Sequence, residues 1–250
     1  MAPGKFITFE GGEGTGKSTQ LRRLAERLRA RGIDVVETRE PGGTQGAEII
    51  RRTILSGRVR ALGPFAEALL MNAARDDHLN EVIRPALAAG KWVLCDRFAD
   101  STRAYQGTLG GVDMTLLKDF EASVVGNDSP DLTLILDLDP EVGLRRARAV
   151  TKAEGGEEAG DRFENEEIGK HRQLRDAFLK IAAAESHRCT VIDASKSIDQ
   201  VGDAVWGAVK ARMPIPDRTA DKKAGDVAKA ATPGKKSVRK AGSGKTKAAS

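Results

Sequence analysis

The stretch FITFEGGEGTGKST, residues 6–19, decides how this chain is read. Its first five residues are aromatic or β-branched up to a terminal acid, which predicts a short strand, and glycines follow at once. From Leu21 an amphipathic pattern takes over, with Leu21, Leu24, Ala25 and Leu28 spaced for one helix face and Gly32 as its stop. Between strand and helix, Gly11-Gly12-Glu13-Gly14-Thr15-Gly16-Lys17-Ser18 satisfies G-x-x-x-x-G-K-[ST], with Thr19 next in line. Glycines let the backbone wrap an anion, so that successive N–H groups and the helix N-terminus point at phosphates; a lysine there reaches the β and γ oxygens and a serine ligates Mg²⁺. Residues 11–19 are therefore expected to bind a nucleoside triphosphate, with Ser18 on the magnesium. The guanine-reading tetrapeptide Asn-Lys-x-Asp occurs nowhere, which argues against a GTPase. Gly242-Ser243-Gly244-Lys245-Thr246 imitates the motif, but its first glycine is replaced by Arg239 and no strand precedes it.

Working outward, residues 34–39 read as a second strand. Residues 44–56 read as a helix that begins after the breaker Pro41-Gly42-Gly43, and residues 65–89 as a long helical stretch bent at Pro85. WVLCD (92–96) and LTLILD (132–137) are apolar in the manner of buried parallel strands, with a helix at 113–125 between them. After Pro140 come a helix, an acidic glycine-rich stretch at 154–160, a second helix through Ala184, a strand at 190–193 and a helix at 198–213. Five strands alternating with helices predict an α/β fold, a doubly wound five-stranded parallel sheet flanked by helices, with ligands at the carboxyl ends of the strands.

The 250 residues are 40% hydrophobic and 31% charged, enough to bury a core in water. No apolar run approaches the ~18 residues of a membrane span, and the start, MAPGKFITFEGGEG, lacks the apolar stretch of a signal peptide, so a cytoplasmic location is expected. The formal charge of +5 is unevenly placed: residues 214–250 hold ten Lys or Arg and three Asp, a net +7, which leaves −2 for residues 1–213. The division expected is a folded phosphate-loop domain at 1–213 and a disordered basic tail at 214–250 that at most touches nucleic acid non-specifically. Cys95 and Cys189 read as reduced core thiols, and His78, His171 and His187 as solvated side chains.

The third strand ends in DRFADSTRAYQG, residues 96–107. An acid leaving a buried strand beside the phosphate loop, here Asp96, can hold a metal-bound water, and Arg97 can bridge two phosphoryl groups with its planar fork. If 101–106 is helical, Ser101 with Tyr105 and Thr102 with Gln106 are i, i+4 pairs, as are Met71 and Arg75 on the long helix. These groups suit the holding of a flat heterocycle.

With these residues in view the sequence resembles the thymidylate kinase family, through FITFEGGEGTGKST, TREPGGT (38–44), AAR (73–75), DRFADSTRAYQG, PDLTLILDL (130–138) and DRFE (161–164). The resemblance implies that 1–213 is a kinase domain of the phosphate-loop nucleoside monophosphate kinase kind, that it transfers the γ-phosphoryl of ATP to dTMP with Mg²⁺, and that it has a mobile lid at about 149–162 and forms a homodimer. By position it implies that Glu13 bonds the sugar 3′-hydroxyl, Arg51 and Arg97 hold the dTMP phosphate, and Arg75 reads thymine. Tyr105 would crowd out a 2′-hydroxyl, Ser101, Thr102 and Gln106 would line the base pocket, Asp96 would stand in the magnesium shell, and the Glu40-Pro41 bond would be cis. Two departures stand out. Met71 occupies a position where the family commonly stacks a phenylalanine on thymine. Members with Glu in the phosphate loop draw a transition-state arginine from the lid, where a spacer is inserted here; Arg148 is favoured, with Lys152 and Arg162 as alternatives. Lys17, Arg97 and Arg148 are thus the expected catalytic side chains. Two rivals remain at this stage: a deoxynucleoside kinase, with Glu40 as base for a 5′-hydroxyl, and a nucleic-acid-linked ATPase tethered by the tail.

Overall fold

Strands covered on both faces need apolar side chains on both, and that is why the runs at 6–10, 92–96 and 132–137 do not alternate. The computed structural model describes residues 4–153 and 167–215. In it, β1 (Phe6–Glu10), β2 (Val35–Arg39), β3 (Trp92–Asp96), β4 (Leu132–Asp137) and β5 (Cys189–Asp193) form one parallel sheet in the order β2-β3-β1-β4-β5. The helices are α1 (Lys17–Arg29), α2 (Gln45–Leu55), α3 (Gly63–His78), α4 (Arg84–Ala88), α5 (Ala99–Thr102), α6 (Met114–Val124), α7 (Pro140–Ala153), α8 (Ile168–Ala184) and α9 (Ile198–Arg212).

On one face Leu21, Leu24 and Leu28 of α1 and Val205, Trp206 and Val209 of α9 pack on Ile7, Phe9, Leu94 and Leu134. On the other, Phe6, Val93 and Cys95 meet Leu79, Ile83 and Phe98, while Ile135 meets Leu174 and Phe178 of α8. Each such large side chain stabilises the fold by ~1.5–3 kcal/mol. Helix starts are capped as their sequences require: Thr44 accepts from the Ala47 N–H, Asp113 from Thr115 and Leu116, and Ser197 forms a capping box with Gln200. Since β1 lies between β3 and β4, the sheet's topological switch falls at the carboxyl end of β1, where the phosphate loop begins.

The stretch expected as one bent helix over 65–89 is instead interrupted at Leu79–Ile83 by i→i+5 turns, after which α4 carries Pro85 in its first turn. Proline has no N–H to give to the turn before it, and the widened turn absorbs the loss. Segment 101–106 is also only in part α-helical: α5 ends at Thr102 and Arg103–Leu109 winds in the same wider turn. His78 and His171, expected in solvent, are buried, because each falls on the inward face of its helix, whereas His187 is exposed. Both cysteines are buried free thiols. Among the described residues no helix is long and apolar enough to cross a membrane. The expected lid is described only as far as Ala153 and the expected tail only as far as Ile215, so the acidic stretch 154–160, Arg162 and residues 216–250 lie outside the described residues.

Candidate active site

The phosphate loop closes on itself. Lys17 Nζ donates to the carbonyls of Gly12 at 2.8 Å and Gly11 at 3.2 Å, Thr15 Oγ1 donates to the Gly12 carbonyl at 3.1 Å, and Gly16, at φ 91°, opens α1. A left-handed residue at that point favours glycine. Ser18 Oγ donates to the Asp96 carboxylate, which joins the first turn of α1 to the end of β3. A hydroxyl and one carboxylate, both hard oxygen donors beside the loop, fit the chemistry of a magnesium ion that would take its other ligands from phosphate and water.

Next along the chain, Arg97 takes a left-handed backbone at φ 69°, a conformation that costs on the order of 1–3 kcal/mol outside glycine and recurs where a side chain must be aimed. Here it turns the guanidinium back toward the loop: Nη1 reaches the Gly11 carbonyl at 3.1 Å and Ser101 Oγ at 3.2 Å, and Nη2 reaches Glu13 Oε1 at 2.6 Å. Tyr105 donates to the same Glu13 oxygen at 2.7 Å. All nine residues expected at an acceptor, from Glu13 to Gln106, line one cavity of about 140 Å³, and Glu40, Pro41, Leu55 and Phe98 complete its wall. Arg75 is buried beneath it, donating to Glu40 at 2.8 Å, Asn72 at 3.2 Å and Thr102 at 3.0 Å, with Phe98 5.1 Å below its guanidinium. Both oxygens of Glu40 are engaged, one by Arg75 and the other by His78 Nδ1 at 3.1 Å. The Glu40-Pro41 peptide is cis.

The charges here are set by burial and close neighbours. Burial would raise the Glu13 carboxyl, but Arg97 and Lys17 outweigh it with help from Tyr105 and hold it at about 2. Burial also pulls the Lys17 ammonium below its usual range, with Arg97 adding to the effect. Glu10, the last residue of β1, is pushed up to about 7 by burial and then by Asp100, although Phe98 N–H at 2.7 Å and Ser101 Oγ at 2.6 Å donate to it. Neutral Glu10 is thus favoured by folding, so its contribution is best below its ordinary pKa of 4.5 and is lost as pH rises toward 7. Glu10→Gln, which keeps the shape and the acceptor oxygen, is expected to remove a pH-dependent loss of ~3 kcal/mol between pH 4.5 and 7. Denaturant unfolding of both proteins at several pH values checks this, and parallel pH profiles would contradict it.

Sequence reading missed Glu10, Asn72, Phe98 and Gly143 as parts of the site. Gly143, in the first turn of α7, lies so close to the loop that a Cβ there would stand 2.3 Å from the Glu13 carbonyl oxygen. A methyl group would force the loop and α7 apart, at ~1–3 kcal/mol. Gly143→Ala should therefore raise the KM for ATP about tenfold, by that same energy. Initial-rate kinetics alongside a melting curve test this, and an unchanged KM would show that the contact is slack. Farther along α7, Arg145, Arg146, Arg148 and Lys152 are all exposed; Arg146 reaches the Ala194 carbonyl at 3.1 Å, and Arg145, Arg148 and Lys152 share one ridge by their 3- and 4-residue spacing. Arg148 therefore stands apart from the acceptor cavity. His171 Nε2 is buried and has no hydrogen-bond partner among the described residues, in the space behind Gly11, Gly12 and Glu13.

A glycine cradle at the switch point of a parallel sheet, facing an arginine-walled cavity across Arg97, defines a phosphotransferase of the phosphate-loop class. Within that class the chain belongs to the thymidylate kinase family, whose family model matches residues 9–205. A thymidylate kinase of Bradyrhizobium diazoefficiens is 55% identical over 210 residues, 84% of this chain and 90% of that protein. One from Rhodopseudomonas palustris is 53% identical over 222 residues, 88% and 95% of the two chains. The crystal structure of thymidylate kinase from Ehrlichia chaffeensis superposes with a TM-score of 0.66 at 35% identity, covering 83% of this chain and 99% of that one.

Proposed function

We propose that this protein transfers the γ-phosphoryl group of ATP to dTMP, giving dTDP and ADP for dTTP synthesis. The observation that carries the reading is the cavity into which Arg51, Met71, Arg75, Tyr105 and Gln106 converge, with the Glu13–Arg97 pair in its wall tied to the phosphate loop through the Gly11 carbonyl.

The chemistry asks little of a base. A nucleoside monophosphate is close to a dianion at neutral pH, since its second pKa is ~6, and its oxygen can attack unaided. What the protein supplies is neutralisation, alignment and dryness. Lys17 meets the transferred phosphoryl, and Arg97 bridges toward the acceptor phosphate that Arg51 also holds. Glu13, fixed as an anion, orients Arg97 and Tyr105 and faces the sugar 3′-hydroxyl. Arg75 presents its fork to the thymine edge beside Ser101, Thr102 and Gln106, and Met71 contributes the apolar plate. Glu40 spends both oxygens on Arg75 and His78, which disfavours it as the base that a deoxynucleoside kinase needs. Mg²⁺, which Ser18 and Asp96 are suited to hold, would add positive charge at the phosphate oxygens. Arg148 is the proposed lid arginine of a Glu-type phosphate loop.

A homodimer in the cytoplasm completes the proposal. Leu62, Phe65 and Leu69 leave an apolar stripe exposed along α3, and Ile49 of α2 and Met114 of α6 are exposed likewise. ADP release from ATP and Mg²⁺ with dTMP, dUMP, thymidine, single-stranded DNA or no acceptor tests the function. Release with dTMP far above the rest is expected, whereas thymidine as the better acceptor, or stimulation by DNA alone, would overturn it.

A further inference from the structure

Behind the acceptor cavity lies an ion cluster that the reaction itself does not use. Asp100 is 2% exposed and accepts both terminal nitrogens of Arg188 at 2.8 Å. Arg103 grips Glu121 with Nε and Nη2, each at 2.7 Å, and sends Nη1 to Glu185 at 2.5 Å and Asp100 at 3.2 Å. Arg188 Nη1 also donates to Thr133 Oγ1 at 2.7 Å, and Thr133 shares a 2.8 Å hydrogen bond with Thr8 on β1. One connected set of polar groups thus runs from β1, the strand that feeds the phosphate loop, through β4 and the α8–β5 connection, which carries Glu185 and Arg188, to the segment 99–109 and on to α6.

That segment has two sides. Asp100 and Arg103, three residues apart, face the cluster, while Ser101, Thr102, Tyr105 and Gln106 face the cavity. A regular α-helix would stack Gln106 on the Arg103 face by i, i+3 spacing; the wider turn of Arg103–Leu109 rotates it away. Buried ion pairs rarely out-stabilise apolar residues of the same volume, so what such a cluster provides is geometry. Its geometry depends on arginine, because a planar fork can hold Glu121 by two bonds while touching Glu185 and Asp100, which a lysine point charge cannot.

We propose that Asp100 and Arg103 are positioning residues for the acceptor: the buried cluster fixes the backbone from which Thr102, Tyr105 and Gln106 reach the substrate. This rests on reading the cavity as the dTMP site. It places the larger effect on the acceptor, since the phosphate loop touches this segment at Gly11 and Glu13 but is also held by Thr15 and Lys17 within itself and by the close approach of Gly143.

The test uses the full chain and the variant Arg103→Lys, which keeps the charge and removes the fork. The KM for dTMP should rise about tenfold, with the KM for ATP and kcat at saturating dTMP held within about twofold. Tyr105 is the only tyrosine, so chain labelled with 3-fluorotyrosine carries one ¹⁹F reporter in the cavity wall, and its resonance should move in the variant before any ligand is added. A KM for dTMP within about twofold of the parent, with an unmoved resonance, would overturn the proposal. Equal losses for both substrates would do the same. If Arg103→Lys does not fold, Glu121→Gln, which loosens one arm of the fork, is judged by the same readouts. A parent chain that does not use dTMP at all would instead point to failure of the functional reading.

Discussion

Lys17→Ala is expected to lower kcat by three orders of magnitude or more, about 4 kcal/mol of transition-state stabilisation, while the chain stays folded. The expectation comes from where the ammonium is held. Lys17 is buried and donates only to the Gly11 and Gly12 carbonyls, and among the described residues no carboxylate lies within ion-pair distance of it. Its burial lowers its pKa, which records the cost of keeping a cation there. A phosphate entering the loop supplies the missing counter-charge in a site where little water competes, so the interaction is strong and grows as charge moves in the transition state. Nothing in the core depends on this side chain, and alanine is a good helix former at the first position of α1. The variant should melt within a few degrees of the parent. Near-normal turnover would remove the loop from the chemistry.

Arg148→Ala is expected to have the second large effect, a loss of about 10³ in kcat with both KM values little changed, because the role proposed for it is confined to the transition state. Arg148 stands on the exposed ridge of α7 with Arg145 and Lys152, five residues beyond the Gly143 that touches the phosphate loop. At 1.5 Å of rise and 3.6 residues per turn, that offset puts Arg148 roughly 7–8 Å along the helix axis and about 140° round it from Gly143, so its assignment rests on the family resemblance and not on a contact with the loop. Alanine variants of Arg145, Lys152 and Arg162 form the comparison set. If one of those carries the loss in kcat and Arg148→Ala does not, the assignment moves to that residue.

Why some of this was legible in the sequence and some was not follows from the kind of interaction involved. The phosphate loop is read directly, because a strand, glycines at fixed offsets, a lysine and a hydroxyl are a local device with a local signature. The five strands are read for a similar reason: burial on both faces leaves continuous apolar runs. Helical spacing pairs Met71 with Arg75, Ser101 with Tyr105 and Thr102 with Gln106 but does not say that the pairs meet, and Arg51 follows from the family resemblance alone; the fold gathers them on one cavity from α2, α3 and the segment after β3. Gly143 has no signal beyond being a glycine in a helix, since its meaning lies in a carbonyl of Glu13, far away in sequence. Glu10 left a faint trace as an acid ending an apolar strand. His78 was misread because polar neighbours suggested solvent, whereas Thr38 at 2.6 Å and Glu40 at 3.1 Å bind its two ring nitrogens in the interior. The wider turn after Thr102 had no trace at all, as the ion cluster that accompanies it is wholly tertiary.

The central claim is that the transferred phosphoryl group ends on dTMP. It is tested most directly by incubating the protein with γ-³²P-labelled ATP, Mg²⁺ and dTMP and separating the nucleotides. The label should appear in dTDP, in step with ADP. Label found only in inorganic phosphate, at a rate indifferent to dTMP, would contradict the account and leave an ATPase in its place.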